Sequence, residues 1–248
     1  MNKNKLCLYL IIYILLFILV SCKNNFEYND SKQSILTANS DINNTNSPNY
    51  TIRQEVLTEF SNNNKISINY PQLISDERDF YKTNQLIKHT MENILKLKYG
   101  GNYENLTLNV DYRITLSNNS LLSVVFEGLS NVISAAHPIN VFFTLNIDLI
   151  NDVKLNIDDI ITVDSELIRI YRDEWKKQSL SEISDYINDF KDDELKIWFK
   201  DEDEGEHCYI YLTDTQLGIS LTVPHAMGDH VEILISYEEI GPNLKLKL

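Results

Sequence analysis

The sequence has few glycines and few cysteines, seven and three in 248 residues. The glycines are spread along the chain, which does not favour a glycine-rich loop that cradles phosphate. The sequence also lacks the CxxC, HExxH, GxSxG and Walker motifs of common zinc, metalloprotease, serine-hydrolase and nucleotide sites. We therefore expect no cofactor and no enzymatic activity.

Basic residues are scarce relative to acidic ones, with 22 lysines and arginines against 36 aspartates and glutamates. The formal net charge is −14 at pH 7. A surface of this sign repels nucleic acid and anionic lipid headgroups and attracts basic proteins. We therefore expect no nucleic-acid partner. The plainer alternative is that the charge serves solubility alone.

The one long apolar run spans residues 6–20, after Lys3 and Lys5 and before Cys22. As a helix it would span about 22 Å, which is short of the roughly 30 Å hydrocarbon core of a bilayer. Basic residues ahead of a short apolar run are typical of a signal peptide, which we predict over residues 1–21.

The end of this run resembles the lipobox of bacterial lipoproteins, in which a cysteine thiol receives a diacylglyceryl group and becomes the mature N-terminus. Cys22 would be that cysteine. Its acyl chains, palmitate among them, would hold an extracytoplasmic domain at the bacterial cell membrane. The alternatives are an ordinary cleaved signal peptide and an uncleaved anchor, with Cys22 there by chance.

Composition changes again near residue 50. Residues 22–50 are rich in asparagine, serine, aspartate and threonine and show no apolar period, which predicts a disordered tether. Residues 51–248 are long enough for one domain with its own hydrophobic core.

Apolar periodicity divides this domain into helices and strands. Helical spacing predicts a helix that begins near Ser75 and ends at the glycine pair 100–101. Alternation predicts a strand over residues 65–70, which Pro71 would end, and a hairpin over 110–126. The other predictions are a strand over 141–149, helices over 164–178 and 181–190, and strands over 195–200, 207–213, 217–223 and 231–237. This order predicts an α+β fold, a mainly antiparallel sheet with two or three packed helices.

A series of short motifs runs through the domain. They are INYPQL (68–73), LSVVF (122–126), SAAHP (134–138), LNID (145–148), LNIDDI (155–160), YLTDTQLGI (211–219), PHAMG (224–228) and VEILISY (231–237). Together they resemble the extracytoplasmic domain of RsiV-type anti-sigma factors and the region ahead of the catalytic domain in PdaC-type peptidoglycan deacetylases. The resemblance implies recognition of a lysozyme-like protein or of peptidoglycan.

The sequence departs from both kinds of protein. An anti-sigma factor has a cytoplasmic arm, whereas five residues precede the apolar run here. A deacetylase has a catalytic domain after this one, and here the sequence ends at Leu248. We therefore expect the binding module alone, a lipid-anchored protein of the cell envelope that is not an enzyme.

Four residues in two turn-forming segments are the candidate ligand-binding residues: His137, Pro138, His225 and Asp229. His137 precedes a proline between two predicted strands, where its ring can face a ligand. The alternative is that the ring fixes the turn by a hydrogen bond to the backbone. His225 and Asp229 lie in one turn with His230, but zinc needs three or four preorganised ligands, so no metal site is predicted.

Two other functions stay open from the sequence. The first is a cell-envelope hydrolase in which His137 works with an acid such as Asp148 or Asp229, and it requires those side chains to converge in one pocket. The second is a purely structural lipoprotein, which has no ligand and no concave site.

Three further features have simpler interpretations. Cys208 lies in a strand-like run and is predicted to be a small buried hydrophobe. Trp175 lies on the apolar face of a predicted helix, so core packing is expected in preference to stacking on a sugar. The acidic residues 201–206 do not fit a calcium loop, and we predict a solvated turn that can steer a basic partner.

Overall fold

The computed structural model describes residues 48–60, 63–99, 104–133, 135–181, 183–200 and 207–246, without the side chains of residues 96–98. These residues belong to one compact unit, Asn44–Leu248. The expected signal peptide, Cys22, most of the tether and the acidic turn 201–206 lie outside the described residues. Among the described helices, none has the length and apolar character needed to cross a bilayer.

Six strands form a large sheet in which spatial order follows sequence order. They are β1 (Thr51–Glu59), β2 (Lys65–Ile74), β3 (Leu106–Ser117), β4 (Leu121–Val132), β5 (Ile139–Asp148) and β6 (Val153–Leu155). All neighbours are antiparallel except β2 and β3, which run parallel. Helix α1 (Tyr81–Tyr99) makes the crossover that a parallel pair requires. The mainly antiparallel α+β fold is confirmed, and the parallel step is an addition to it.

The first core lies between α1 and one face of the large sheet. Ile87, Met91 and Leu95 of α1 are almost fully buried there, as their helical spacing predicts. On the sheet, Phe126 of β4 and Phe143 of β5 stack with ring centroids 4.8 Å apart. The predicted helix is confirmed, although it begins at Tyr81 and not near Ser75.

The prediction that Pro71 ends its strand is wrong, because β2 continues to Ile74. The side-chain amide of Asn84 on α1 bonds both the N–H and the carbonyl of Leu73, each at 2.9 Å. The backbone groups of Leu73 therefore point away from β1, and those of Pro71, two residues earlier, point the same way. Pairing with β3 stops at Ile68, so no ladder bond needs the missing N–H of Pro71.

The second half of the domain places helices on a three-stranded antiparallel sheet of order β7-β8-β9. Its elements are α2 (Ile157–Ile160), α3 (Ser165–Gln178), α4 (Asp192–Lys200), β7 (Cys208–Leu212), β8 (Gln216–Thr222), β9 (His230–Ser236) and α5 (Tyr237–Ile240), with 3-10 turns at Tyr186–Asp189, His225–Met227 and Gly241–Asn243. Trp175, Tyr171 and Phe199 fill the core between the helices and the sheet with no exposed surface. The core position of Trp175 is thus confirmed.

The predicted strand over residues 195–200 is wrong, because the chain forms α4 there. Leu195 and Phe199 are fully buried four positions apart, whereas Ile197 between them is 65% exposed. A strand would have placed all three on one face, and a helix separates them. Acids at 192–194 in the first turn also favour a helix start. The helix predicted over 181–190 forms only as a 3-10 turn, Tyr186–Asp189.

A buried polar network joins the two sheets where β7 lies against β4 and β5. Asn146 donates to the carbonyl of Ile210 at 2.8 Å and accepts from the hydroxyl of Ser123 at 2.7 Å. The Ser123 hydroxyl in turn accepts the N–H of Leu212 at 2.9 Å and the hydroxyl of Thr115 at 3.0 Å. Beside the network lies a small apolar cluster of Val125, Phe142 and Tyr211. These buried polar atoms are therefore paired across the joint.

Candidate functional site

Two histidines from distant parts of the sequence meet on the surface. His137 lies in the loop between β4 and β5, and His225 lies in the 3-10 turn between β8 and β9. Their rings are stacked, with centroids 3.6 Å apart and planes 6° from parallel. Both residues are exposed. The structure thus brings together residues that the sequence named in two separate turns.

Asp229 holds His225 and its turn in place. Its carboxylate accepts the N–H of Asn140 at 2.7 Å and contacts Nδ1 of His225 at 2.9 Å. The side chain of Asn140 also donates to the carbonyl of Gly228 at 3.2 Å. The turn reverses through left-handed backbone at Gly228 and Asp229, with φ of 103° and 71°. These contacts tie the turn after β8 to the start of β5.

The electrostatics of Asp229 follow from its contacts. Burial acts to raise the pKa of its carboxyl group, but the N–H of Asn140 and the ring of His225 outweigh burial and hold the pKa below the usual range. A carboxylate only accepts hydrogen bonds, so Nδ1 of His225 carries the hydrogen in this contact. In a neutral ring, Nε2 of His225 is then the basic nitrogen.

The other candidate residues lie around this pair without completing a metal site. Pro138 is exposed, and its carbonyl lies 3.3 Å from Nδ1 of His137. His230 is half-buried, with its ring 4.6 Å from that of Phe142. Within the described part of the chain, no group of three or more histidine, cysteine, aspartate or glutamate side chains is arranged to hold a metal ion.

Asp148 does not belong to this cluster. Its carboxylate accepts the N–H of Ile150 at 2.8 Å and that of Asn151 at 3.1 Å, and so it caps the turn after β5. Asp229 contacts Asn140 at the other end of β5, and the eight steps along the strand from Asn140 to Asp148 span about 27 Å. Of the two acids named for the hydrolase alternative, only Asp229 lies near the histidine pair.

A second surface stands out by its charge. Residues 157–206 contain 17 acidic and seven basic side chains, a net charge of −10 out of −14 for the whole chain. In the described part of this segment, Asp185, Asp189, Asp192, Asp193 and Glu194 are all exposed. We call these five residues the acidic helical surface.

Arg172 on α3 fixes the backbone that carries this surface. Its guanidinium donates to the carbonyls of Ile187 at 2.5 Å and Phe190 at 2.6 Å, and to the carboxylate of Asp192 at 2.9 Å. The side chain of Arg172 is only 17% exposed. A partly buried arginine with three acceptors gives residues 187–192 a defined path.

Exposed apolar side chains precede and follow the acidic helical surface in the sequence. Leu180 precedes it and is 71% exposed, and Ile197 follows it on α4 and is 65% exposed. Large exposed apolar residues beside charged ones are typical of sites that contact another protein.

Trp198 packs within the protein. Its ring stacks on His207 at 5.0 Å and lies 4.5 Å from Phe190. Tyr186 continues this row of aromatic rings toward the core at Trp175. The contacts of Trp198 therefore support α4, and one face of its ring is covered by His207.

Cys208 is 4% exposed on β7, and burial raises the pKa of its thiol. A raised pKa disfavours the reactive thiolate. The prediction of a small buried hydrophobe is confirmed.

Sequence reasoning missed two parts of these sites. It did not find Asn140, because nothing in the local pattern shows that its N–H meets Asp229 from another sheet. It also missed the acidic helical surface, because apolar periodicity does not show where acidic residues concentrate. Counting charge segment by segment would have revealed the excess over residues 157–206.

The fold defines the protein as an α+β domain with two sheets, each covered by helices on one face. No protein-family model matches the chain, and no curated protein matches it in sequence.

Solved structures of DUF3298 family proteins are its structural neighbours. One, from Bacteroides fragilis, is 18% identical with a TM-score of 0.49, and the match covers 81% of this chain and 94% of that chain. Another, from Pseudomonas aeruginosa, is 12% identical with a TM-score of 0.43, and the match covers 78% of this chain and 94% of that chain.

Proposed function

We propose that this protein is a non-catalytic binding module of the bacterial cell envelope, held at the membrane by lipid on Cys22, that recognises a basic protein of the lysozyme type. The observation that carries the proposal is the concentration of charge, −10 over residues 157–206. An acidic segment of this kind attracts a basic partner and raises its association rate.

The acidic helical surface offers more than a diffuse field. Arg172 holds its backbone in one path, so little ordering is needed when a partner binds. The exposed side chains of Leu180 and Ile197 supply apolar contacts that charge alone does not give. The resemblance to RsiV-type domains, which recognise lysozyme, supports the same class of partner.

The test is calorimetric titration of the full-length chain with lysozyme, at low and at high salt. The variant carries Asp185→Asn, Asp189→Asn and Asp193→Asn, which remove three charges from the acidic helical surface and leave Arg172 its partner Asp192. We expect saturable one-to-one binding that weakens with salt, and about tenfold weaker binding in the variant, equivalent to about 1.4 kcal/mol.

The matched control removes three exposed charges elsewhere, by Glu77→Gln, Glu104→Gln and Asp111→Asn. It should bind lysozyme like the natural chain. Equal weakening in both triple variants would show that only the net charge matters. Heat of binding with peptidoglycan fragments and none with lysozyme would identify cell-wall glycan as the partner in place of lysozyme. No heat of binding with either would favour a purely structural lipoprotein.

The histidine pair favours one second candidate, a cell-envelope hydrolase. Asp229 orients His225, and Nε2 of a neutral His225 ring could act as a general base toward water. Release of soluble fragments from peptidoglycan by the natural chain, and its loss in His225→Ala, would support this candidate. Equal release by both chains, or none, would reject it.

A further inference from the structure

The small sheet and the large sheet differ in whether side chains bond the backbone of their edge strands. An edge strand presents unpaired N–H and carbonyl groups that can pair with another chain. At the β7 edge, Asn146 and Ser123 bond the carbonyl of Ile210 and the N–H of Leu212. At the β9 edge, the side-chain amide of Gln178 bonds both backbone groups of Leu234, at 2.6 and 2.9 Å. Side chains thus cover both edges of the small sheet.

The two edges of the large sheet are not alike. Strand β6 is three residues long, too short to offer much pairing. Strand β1 is nine residues long and pairs with β2 without a break from Thr51 to Glu59. Its outer side pairs with no other strand among the described residues. Ile52 and Val56 on this strand are 36% and 49% exposed.

The outward backbone groups of β1 can be identified. Leu73 is opposite Ile52, and its N–H and carbonyl bond Asn84, away from β1. The groups of Ile52 therefore also point away from β2, and the alternation of a strand gives the same direction at Gln54 and Val56. In an antiparallel pair, residues with outward backbone groups must lie opposite residues that also have outward groups. For two copies of β1 related by a two-fold axis, this condition places one residue opposite its own equivalent.

One of these registers pairs opposite charges and apolar side chains. With Gln54 opposite its own copy, Arg53 of each chain faces Glu55 of the other, and Ile52 faces Val56. A register centred on Arg53 or on Glu55 instead places like charges opposite each other, which is unfavourable. Within one chain Arg53 and Glu55 form an ion pair of 2.8 Å, and their side chains are 63% and 41% exposed, so in the dimer each would exchange this partner for its equivalent in the other chain. The sequence of this edge is thus complementary to itself in charge and in apolar contact.

We propose that β1 is a homodimer interface, in which two copies of the chain pair antiparallel about Gln54 and join their large sheets into one of twelve strands. Pairs at Ile52, Gln54 and Val56 give about six backbone hydrogen bonds. The interface uses residues other than those of the acidic helical surface, so the inference does not depend on the proposed ligand.

Cysteine cross-linking of the full-length chain tests the register. Opposite residues lie about 5.5 Å apart at Cα, within disulfide reach, whereas diagonal neighbours lie about 8 Å apart. Gln54→Cys should therefore give about tenfold more disulfide-linked dimer under mild oxidation than Arg53→Cys or Glu55→Cys alone. Mixing the last two variants should restore the cross-link. Equal yields at all three positions, or none at Gln54→Cys above the natural chain, would overturn the proposal.

Charge reversal gives a second readout that needs no oxidation. Arg53→Glu makes both charged pairs negative and Glu55→Arg makes both positive, so each variant alone should sediment as a monomer. An equimolar mixture places Glu opposite Arg at both pairs and should return to the dimer mass. A natural chain that stays monomeric at all concentrations, or a mixture that stays monomeric, would contradict the interface. Each reversal also breaks the ion pair between Arg53 and Glu55 within the chain, so the fold of each variant is checked by its unfolding curve.

Discussion

The two halves of the domain are built alike but charged differently. Residues 48–156 contain the large sheet and α1, and residues 157–248 contain the small sheet and its helices. Each half has a core of one sheet face against helices. Yet the first half has a net charge of −2, and the second has −13. Burial of apolar residues determines both cores in the same way, so charge is what distinguishes the half that we propose binds a partner.

The joint between the halves is also unlike either core. Both cores are almost entirely apolar, whereas the joint contains the buried pair Ser123 and Asn146. This pair provides the hydrogen bonds that β7 lacks on its edge. The halves are therefore held in one relative position by directional contacts, and three substitutions test how each region contributes.

The largest effect is expected at the joint. Asn146→Ala leaves the carbonyl of Ile210 without its donor and the hydrogen of the Ser123 hydroxyl without its acceptor in a buried site, which should lower the free energy of unfolding by about 3 kcal/mol. Denaturant unfolding measures the change. Asn131→Ala, at an exposed position on β4, is the matched control and should change it by less than about 0.5 kcal/mol. A small effect at Asn146 would show that the joint relies on its apolar cluster.

A smaller effect is expected inside the small sheet. Gly218 lies opposite Tyr211, and a Cβ atom at Gly218 would lie 2.1 Å from the tyrosine ring. Gly218→Ala should therefore lower the free energy of unfolding by about 2 kcal/mol through overpacking. In a Tyr211→Ala background the same change should be nearly neutral, because the obstructing ring is gone. Equal costs in both backgrounds would place the strain elsewhere.

The smallest effect is expected at the histidine pair. Asp229→Asn keeps an acceptor for Asn140 and tolerates the left-handed backbone, but it removes the charge beside His225. It should cost about 1 kcal/mol of unfolding free energy at pH 7.

The same variant has a predicted pH dependence. The pKa of Asp229 is lowered in the folded protein, so its stabilisation is present above the unfolded pKa of about 3.9 and is lost as pH falls through the folded pKa. The unfolding free energies of the natural chain and Asp229→Asn should therefore converge as the pH falls below about 3.9. A difference that grows on acidification would contradict this assignment.

Elements with a long, regular apolar period could be predicted from the sequence. Helices α1 and α3, the β3–β4 hairpin and strands β5, β7, β8 and β9 each repeat one period over many residues, and each lies where expected apart from the later start of α1. The strand prediction over residues 195–200 was wrong. Over so short a run, the spacing of Leu195, Ile197 and Phe199 fits a strand as well as it fits a helix. The prediction that Pro71 ends its strand was wrong, because a strand tolerates proline where no ladder bond needs its N–H. Whether that holds depends on where β3 stops pairing with β2, which the local sequence does not show.

The candidate sites depended on contacts that periodicity does not encode. His137, His225 and Asp229 were found by residue type, yet their meeting depends on how two sheets pack. The Ser123–Asn146 pair resembles ordinary polar residues in buried strands, and only the path of β7 explains it. Local pattern therefore identified the candidates, and tertiary packing determined which of them meet.

Hydrogen–deuterium exchange of the full-length chain, with and without saturating lysozyme, tests the central claim most directly. The account predicts slower exchange in α3, the Tyr186–Asp189 turn and α4, and no change in β3, β4 and β5. Protection confined to the large sheet, equal protection of both halves, or no protection would contradict the claim that the acidic half binds the partner.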